Sequence, residues 1–232
     1  MTQKEIVRTI IDLLSKELAP LNFKANIKEQ GFIRKDDNAI YFYYFLLYTR
    51  TNIKTRAKGF LIEPFADINI SSIERYYKEI TLNTELKNEW DFITIGNSIA
   101  NLCANPDGIN RKKNQTLDLF VFDEQHLQSV VIELTKQFKQ VAFPYFLANN
   151  TVKRVNELLN KYPLEYSVHM NNDLFRFMKG LIAAKLDNNP QLDELLMIYS
   201  KLILDRNMPD NCKEEMKRIK AILPRIEDGV RL

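Results

Sequence analysis

The strongest strand signal in the chain is an unbroken apolar and aromatic run, Ile40-Tyr41-Phe42-Tyr43-Tyr44-Phe45-Leu46-Leu47-Tyr48. A run that is apolar at every position is typical of a central strand that is covered on both faces. Downstream, residues 60–70 alternate in period two, which is the pattern of a neighbouring strand with one face in water. We therefore predict a long β-hairpin over residues 39–71, and we expect the rest of the fold to be arranged around it.

The remaining patterns separate strands from helices along the chain. Strand signals are confined to the first half or so, and from Asn172 onward the apolar residues recur at helical spacing. Such segregation predicts an α+β fold with a mainly antiparallel sheet, and it argues against alternating βαβ units. We predict an α+β domain over residues 1–162. Residues 163–232 are then a helical segment that packs on this domain or forms a small helical subdomain.

Local signals mark several helix ends. Thr2 with Glu5, and Ser71 with Glu74, have the spacing of a capping box, while Asp123 and Thr151 are natural N-caps. Residues 84–90 are predicted to continue as a helix, and residues 92–95 and 117–122 as strands. Pro144 is expected to end the helix that Asp123 begins. The aromatic turn around it, Phe143 to Phe146, is expected to pack the sheet against a helix, with a binding edge as the alternative.

The order of these pieces resembles small bacterial families known only as domains of unknown function. The resemblance covers about residues 4–161. It rests on Leu18-Ala19-Pro20-Leu21-Asn22-Phe23, on Phe32-Ile33-Arg34 before antiparallel strands, and on Phe143-Pro144-Tyr145-Phe146 followed by a helix that ends in Leu158-Leu159. It implies an α+β fold and brings no activity, cofactor or catalytic residue.

Composition limits the class of protein. The chain has 232 residues, of which 45% are hydrophobic and 27% charged, as in an average globular protein. No apolar run approaches the roughly 20 residues that span a bilayer, and the polar start contains no signal-peptide core. Two distant cysteines make a disulfide framework improbable. We predict a soluble cytoplasmic protein without a membrane partner.

Catalytic and metal-binding patterns are absent from the sequence. The chain has two histidines, His126 and His169, and neither lies in an H-E-x-x-H pattern. His126 follows Asp123 and Glu124 at a predicted helix start, where capping explains the acids better than metal binding. Cys103 is expected to be a small buried hydrophobe. We predict no catalytic residue, no metal and no cofactor. A general acid–base pair of Asp or Glu residues is the alternative, because such a pair needs no fixed spacing and forms no sequence motif.

Basic residues cluster in two predicted loops. Together the loops would form a positive surface able to contact phosphates or an acidic protein. The net charge is only +3, so the rest of the chain nearly cancels these clusters, and nucleic acid becomes the less favoured partner. The clusters are Arg50, Lys54, Arg56 and Lys58 in the hairpin connection, and Arg111, Lys112 and Lys113 after Gly108.

These observations favour a non-enzymatic module that binds another protein of acidic character, in an immunity-type or regulatory role. The predicted partner-binding residues are those of the two basic clusters. Nucleic-acid binding through the same loops is the alternative, and an enzyme whose acid–base site forms no motif is a third. A deep polar pocket with converging Asp, Glu or His side chains would favour the third.

Overall fold

The structure, a computed structural model, describes residues 1–226. It confirms the α+β class, with one antiparallel sheet packed against helices. The strands are β1 Lys24–Asn26, β2 Gly31–Lys35, β3 Ala39–Thr51, β4 Lys58–Ile70, β5 Ile95–Ser98 and β6 Phe120–Val121. The helices are α1 Gln3–Leu18, α2 Ser71–Ile80, α3 Ile99–Ala104, α4 Glu124–Gln137, α5 Phe143–Ala148, α6 Val152–Asn160, α7 Asp173–Leu186, α8 Leu192–Asp205 and α9 Asp210–Ile222.

The predicted hairpin is confirmed and forms the middle of the sheet. Strands β3 and β4 pair along their whole length, from Ala39 opposite Ile70 to Thr51 opposite Lys58. The strand order is β1-β2-β3-β4-β5, and β6 also pairs with β4, at its other end. Arg50 and Lys58 therefore lie in strands, and the connection proper is residues 52–57. This shortens the predicted connection by its two flanking cations.

Helices cover one face of β3, and an irregular segment covers the other. Tyr43 points to the helical side, where its hydroxyl donates to the carbonyl of Leu134 at 2.8 Å and its ring meets Phe138. On the opposite face, Phe42 packs against Trp90, with 4.6 Å between ring centroids. The prediction that both faces are covered holds for the first part of β3. Farther on, Leu46 and Tyr48 are each 37% exposed.

The helix that begins after Asp123 does not end at Pro144. After α4 the chain forms a π-helical turn, Phe138–Ala142, and continues directly into α5. Proline is tolerated here because it stands in the first turn of α5, where its missing N–H is least needed. The aromatic turn is thus helical. Phe146 packs on Phe23 and Tyr41, as expected of an aromatic side chain that packs a helix against the sheet.

Two other local predictions are wrong, and two predicted strands differ in their bounds. Ser71 and Glu74 form no capping box, because α2 has no side-chain cap and Glu74 is buried. Residues 84–90 are not an α-helix; only a short 3₁₀ turn, Glu89–Asp91, occurs there. The two short strands are displaced or shortened, to Ile95–Ser98 and Phe120–Val121. In contrast, Thr2 with Glu5, Asp123 and Thr151 cap their helices as predicted.

The C-terminal helices pack onto the α+β part. Arg176 of α7 is 1% exposed and donates to the carbonyls of Leu159, Tyr162 and Glu165, around the end of α6. Lys179, one turn later, forms a buried ion pair with Glu74 of α2 at 2.9 Å. The segment before α7 also forms a β-bridge between Ser167 and Ile109. None of the helices within residues 1–226 is both long and apolar enough to cross a membrane.

Candidate functional site

The hairpin connection, residues 52–57, is an ordered turn built on Asn52. Its side-chain oxygen accepts from the backbone N–H groups of Lys54 at 2.9 Å and Thr55 at 3.0 Å. Its backbone N–H donates to the Ala57 carbonyl at 2.8 Å, which closes the turn. Arg56 adopts a positive φ of 59°, as turns of this kind require. The basic side chains are therefore displayed from a defined backbone.

Beyond residue 45, β3 has no strand on its outer side. Strand β2 begins at Gly31, and the last bond across runs from the Phe45 N–H to the Gln30 carbonyl at 3.1 Å. Backbone polar groups alternate in direction along a strand, and Phe45 points outward, so Leu47, Thr49 and Thr51 point outward too. We call the outer backbone of residues 46–51 the open edge. Its length is about 20 Å at the usual rise per residue.

The hairpin cations surround the open edge. Arg50 donates to the outward carbonyl of Thr49 at 3.0 Å and lies 5.6 Å from the Tyr48 ring centroid. Lys54, Arg56 and Lys58 are exposed, and none forms an ion pair in the described part of the chain. One acid lies close to the open edge: Glu63 of β4, which stands opposite Leu46 and accepts a hydrogen bond from Tyr48. Asp118 and Asp123 line a depression beside β4 together with residues of the connection. Four cations therefore face one acid around the open edge, and the local charge is positive.

The second basic cluster lies in a different setting. Asn105 organises this loop, because its side-chain oxygen accepts from the backbone N–H groups of Arg111 and Lys112. Arg111 pairs with Asp107, and Lys113 lies 3.8 Å from the Tyr166 ring centroid. Across residues 1–226, no hydrogen bond, ion pair or ring contact joins this cluster to the hairpin cations. The two clusters are thus anchored to different segments, the first to the hairpin and the second to α3 and the segment before α7.

A cleft of about 940 Å³ lies beside this second loop. Its walls come from the end of α3 and the 105–108 loop, from α5, from α6 and from the start of α8. Apolar side chains such as Leu102, Val141, Leu158 and Leu195 line it together with polar ones. The volume is at the upper end of the range of small-molecule sites, roughly 300–1,000 Å³.

A stacked Tyr145–His169 pair forms part of the cleft wall. The two rings lie at an interplanar angle of 14° with 5.8 Å between centroids, and the Tyr145 hydroxyl is 3.0 Å from His169 Nδ1. His169 is held by its backbone, since its carbonyl accepts from the Gly96 N–H at 2.8 Å. Helix α5 places Tyr145, and the extended segment before α7 places His169.

Burial sets the protonation of this pair. It lowers the pKa of His169 to about 4, with a smaller contribution from the charge of Arg154. Burial also raises the pKa of Tyr145 far above its ordinary value, with Asp67 adding to the effect. Both rings are therefore neutral at pH 7. We assign the tyrosine hydroxyl as the donor to Nδ1, because its proton has no other protein acceptor within residues 1–226. His169 then carries its proton on Nε2.

Arg154 of α6 is the main cation in the cleft lining. Its Nε donates to the side-chain oxygen of Asn149 at 3.1 Å, and its Nη1 donates to Glu157 at 2.8 Å. Asn149 in turn donates to the carbonyl of Tyr145 at 2.8 Å, which ties the arginine to the stacked pair. In the described structure Nη2 makes no hydrogen bond. The guanidinium is thus oriented and keeps free donors.

An amide network lies beneath the cleft. Asn160 donates to Asn156 at 2.7 Å and to the Gly180 carbonyl at 2.9 Å, and it accepts from the Tyr199 hydroxyl at 2.7 Å. Asn156 also donates to Asp187 at 2.7 Å. A side chain at Gly180 would collide with Asn160, since an added Cβ would lie 2.6 Å from its oxygen. This network fixes α6 against α7 and α8, and so fixes the cleft walls.

Sequence patterns missed this cleft. Tyr145 and His169 are 24 residues apart and belong to no motif, so only the fold brings them together. Cys103, expected to be buried, is exposed and lines the cleft, whereas Cys212 is buried. His126 lies at the start of α4, where Asp123 accepts from its N–H, as the capping interpretation expected. Over the described residues, no three His, Cys, Asp or Glu side chains are placed to hold a metal ion.

Comparison of the chain with models of protein families, with curated proteins and with solved structures finds no match. The resemblance to small bacterial α+β families therefore stays a prediction. The open edge and the cleft are interpreted from their geometry and chemistry alone.

Proposed function

We propose that the protein is a binding module that captures an extended acidic segment of a partner protein along the open edge of β3. The observation that carries the proposal is the unpaired outer backbone of residues 46–51 next to the hairpin cations. A strand edge of this length can pair with about four to six residues of an incoming chain, as in β-augmentation. Natural edges that avoid pairing are short, bulged, covered or flanked by charged side chains. The cations here would repel a basic strand, and they leave an acidic segment as the chain that can pair.

Charge selects the kind of partner. Arg50, Lys54, Arg56 and Lys58 lie around the open edge, and no acid occurs in the hairpin from Ala39 to Ile62. An acidic segment would meet four cations while its backbone completes the sheet. Exposed Tyr48 and Leu46 offer apolar contacts on one face of the added strand. The proposal keeps the hairpin cations as partner-binding residues and leaves out Arg111, Lys112 and Lys113.

A synthetic ten-residue peptide that alternates glutamate with valine tests the proposal. Binding is followed by amide chemical shifts of the isotope-labelled protein at low salt. We expect the largest shifts in residues 46–51, and we expect affinity to fall as salt rises. A ten-residue thymidine oligonucleotide is the comparison probe. Tighter binding of the oligonucleotide at the same residues would favour the nucleic-acid alternative and contradict the proposal.

Two substitutions at Thr49 separate backbone pairing from charge. Thr49→Pro removes an outward N–H, and proline is tolerated on an edge strand because no bond to β4 is lost. Thr49→Val keeps this N–H and is the matched control. We expect the proline variant to bind the acidic peptide at least about 10-fold more weakly and the valine variant to bind like wild type. Equal binding by all three proteins would show that the peptide does not pair with the open edge.

A further inference from the structure

We infer that the cleft between α3, α5, α6 and α8 binds a small organic molecule that carries a carboxylate or phosphate group on an apolar body. This site is separate from the open edge, and its existence does not depend on the proposed protein partner. The inference rests on the unused hydrogen-bonding groups of the cleft, on the access to them and on the apolar lining.

In the part of the chain that the structure describes, the cleft lining carries several donors without a protein partner, beside amides such as Gln140 that can both donate and accept. His169 presents Nε2–H, which makes no hydrogen bond within residues 1–226, and Arg154 keeps the donors of Nη2. Lys161, also in the lining, forms no side-chain hydrogen bond or ion pair within residues 1–226, and its ammonium lies 5.0 Å from the Tyr162 ring centroid. The acids of the lining are already engaged, Glu157 with Arg154 and Asp107 with Arg111. A ligand that satisfies this cleft therefore supplies acceptors, and an oxyanion accepts from several donors at once.

Access to His169 depends on Gly108. This residue has a φ of 83°, and a Cβ built on it would stand 3.4 Å from His169 Nε2. The glycine thus leaves the space in front of the imidazole free for a ligand atom. Leu102, Val141, Leu158 and Leu195 offer the rest of the cleft to an apolar body, which inorganic phosphate alone lacks.

The two histidines allow a direct test on the intact protein. Long-range ¹H–¹⁵N spectra resolve both imidazoles, and His126→Gln assigns the signals. The probes are matched sets of small aromatic carboxylates, their neutral amides, phenyl phosphate and inorganic phosphate. We expect the organic anions to shift the Nε2 signal of His169, the neutral amides to leave it unchanged, and inorganic phosphate to bind at least about 10-fold more weakly than phenyl phosphate. If no probe shifts His169, or if amides shift it as strongly as carboxylates, the inference is overturned.

A pair of neighbouring cations on α6 supplies the matched control. Arg154→Gln removes the guanidinium in the lining, and Lys153→Gln removes the same charge from an exposed neighbour that does not line the cleft. We expect the first change to weaken binding of the organic anions by about 10-fold or more and the second by less than 2-fold. Equal effects would show that the anions respond to general charge, and this result would contradict a built site. Circular dichroism verifies that both variants fold.

Discussion

The buried ion pair between Lys179 and Glu74 joins a C-terminal helix to the first half of the chain. Its removal therefore tests how strongly these two parts stabilise each other. Both side chains are 2% exposed. Lys179 Nζ also donates to the Ile93 carbonyl at 2.6 Å, and the Thr94 hydroxyl donates to the same Glu74 oxygen at 2.6 Å. Burial lowers the pKa of Lys179, while the charge of Glu74 acts in the opposite direction.

Lys179→Met removes the cation and keeps most of the side-chain volume. The Glu74 carboxylate would then stay buried with one hydrogen bond, from Thr94, and the Ile93 carbonyl would lose its donor. Breaking a buried pair in this way costs about 3–5 kcal/mol. Domains are stable by only about 5–15 kcal/mol, so the single change is expected to remove a large share of the stability.

Replacing both partners should cost less than replacing one. In the double variant Lys179→Met with Glu74→Leu no charge is left buried. The remaining losses are the acceptor of Thr94 and the donor to the Ile93 carbonyl, worth about 1 kcal/mol each. Urea unfolding, followed by the fluorescence of Trp90 and by circular dichroism, measures all the variants. Lys153→Met, an exposed change, is the control and should stay within about 0.5 kcal/mol of wild type. A loss below about 1 kcal/mol for Lys179→Met, or a double variant as unstable as the single one, would refute the reasoning.

Three further predictions concern the centre of the sheet and the cleft. Burial raises the pKa of Asp67 to about 7. The folded protein therefore keeps a proton that the unfolded chain releases above about pH 4, and this contribution to stability is lost as pH rises toward 7. The stability of Asp67→Asn relative to wild type should thus rise by about 1.4 kcal/mol per pH unit between pH 4 and 7 in urea unfolding, and a flat difference would argue against the buried carboxyl. Burial lowers the pKa of His169, so its imidazole should titrate near pH 4 in NMR spectra; a midpoint near 6.5 would mean that the ring is solvated. Gly96→Ala should destabilise the protein by at least about 2 kcal/mol, because the added Cβ would lie 2.0 Å from Asp67 Oδ1 and 2.5 Å from the Ala66 carbonyl. Thermal unfolding of this variant near the wild-type temperature would contradict such close packing.

Much of the fold follows from short-range patterns. The apolar run from Ile40 to Tyr48 predicted the central strand, because side-chain period and composition act within a few residues. Asp123 and Thr151 cap their helices through bonds to backbone N–H groups three residues away, so their roles are visible in the sequence. Where the deciding contact is distant, the pattern misled. Glu74 has capping-box spacing but pairs with Lys179, which is 105 residues away.

The two candidate sites differ in the same way. The hairpin cations were identified from the sequence, because a basic and acid-free segment between two strands needs no tertiary information. The open edge was not identified from the sequence. It arises because β3 extends beyond β2, and strand pairing is a property of two segments at once. Pro144 is another example, because the π-helical turn before it lets α5 continue where the local rule for proline predicts an end.

By itself, the sequence determined the α+β class, the hairpin, most helix caps and the basic character of the connection. Each depends on interactions within one element or between close neighbours in the chain. Only the tertiary structure decided which edge of the hairpin stays unpaired, which segments anchor the second basic cluster, and that Tyr145 and His169 stack in a cleft. These features depend on contacts between residues distant in sequence, and burial then sets the protonation of His169 through the loss of water around it.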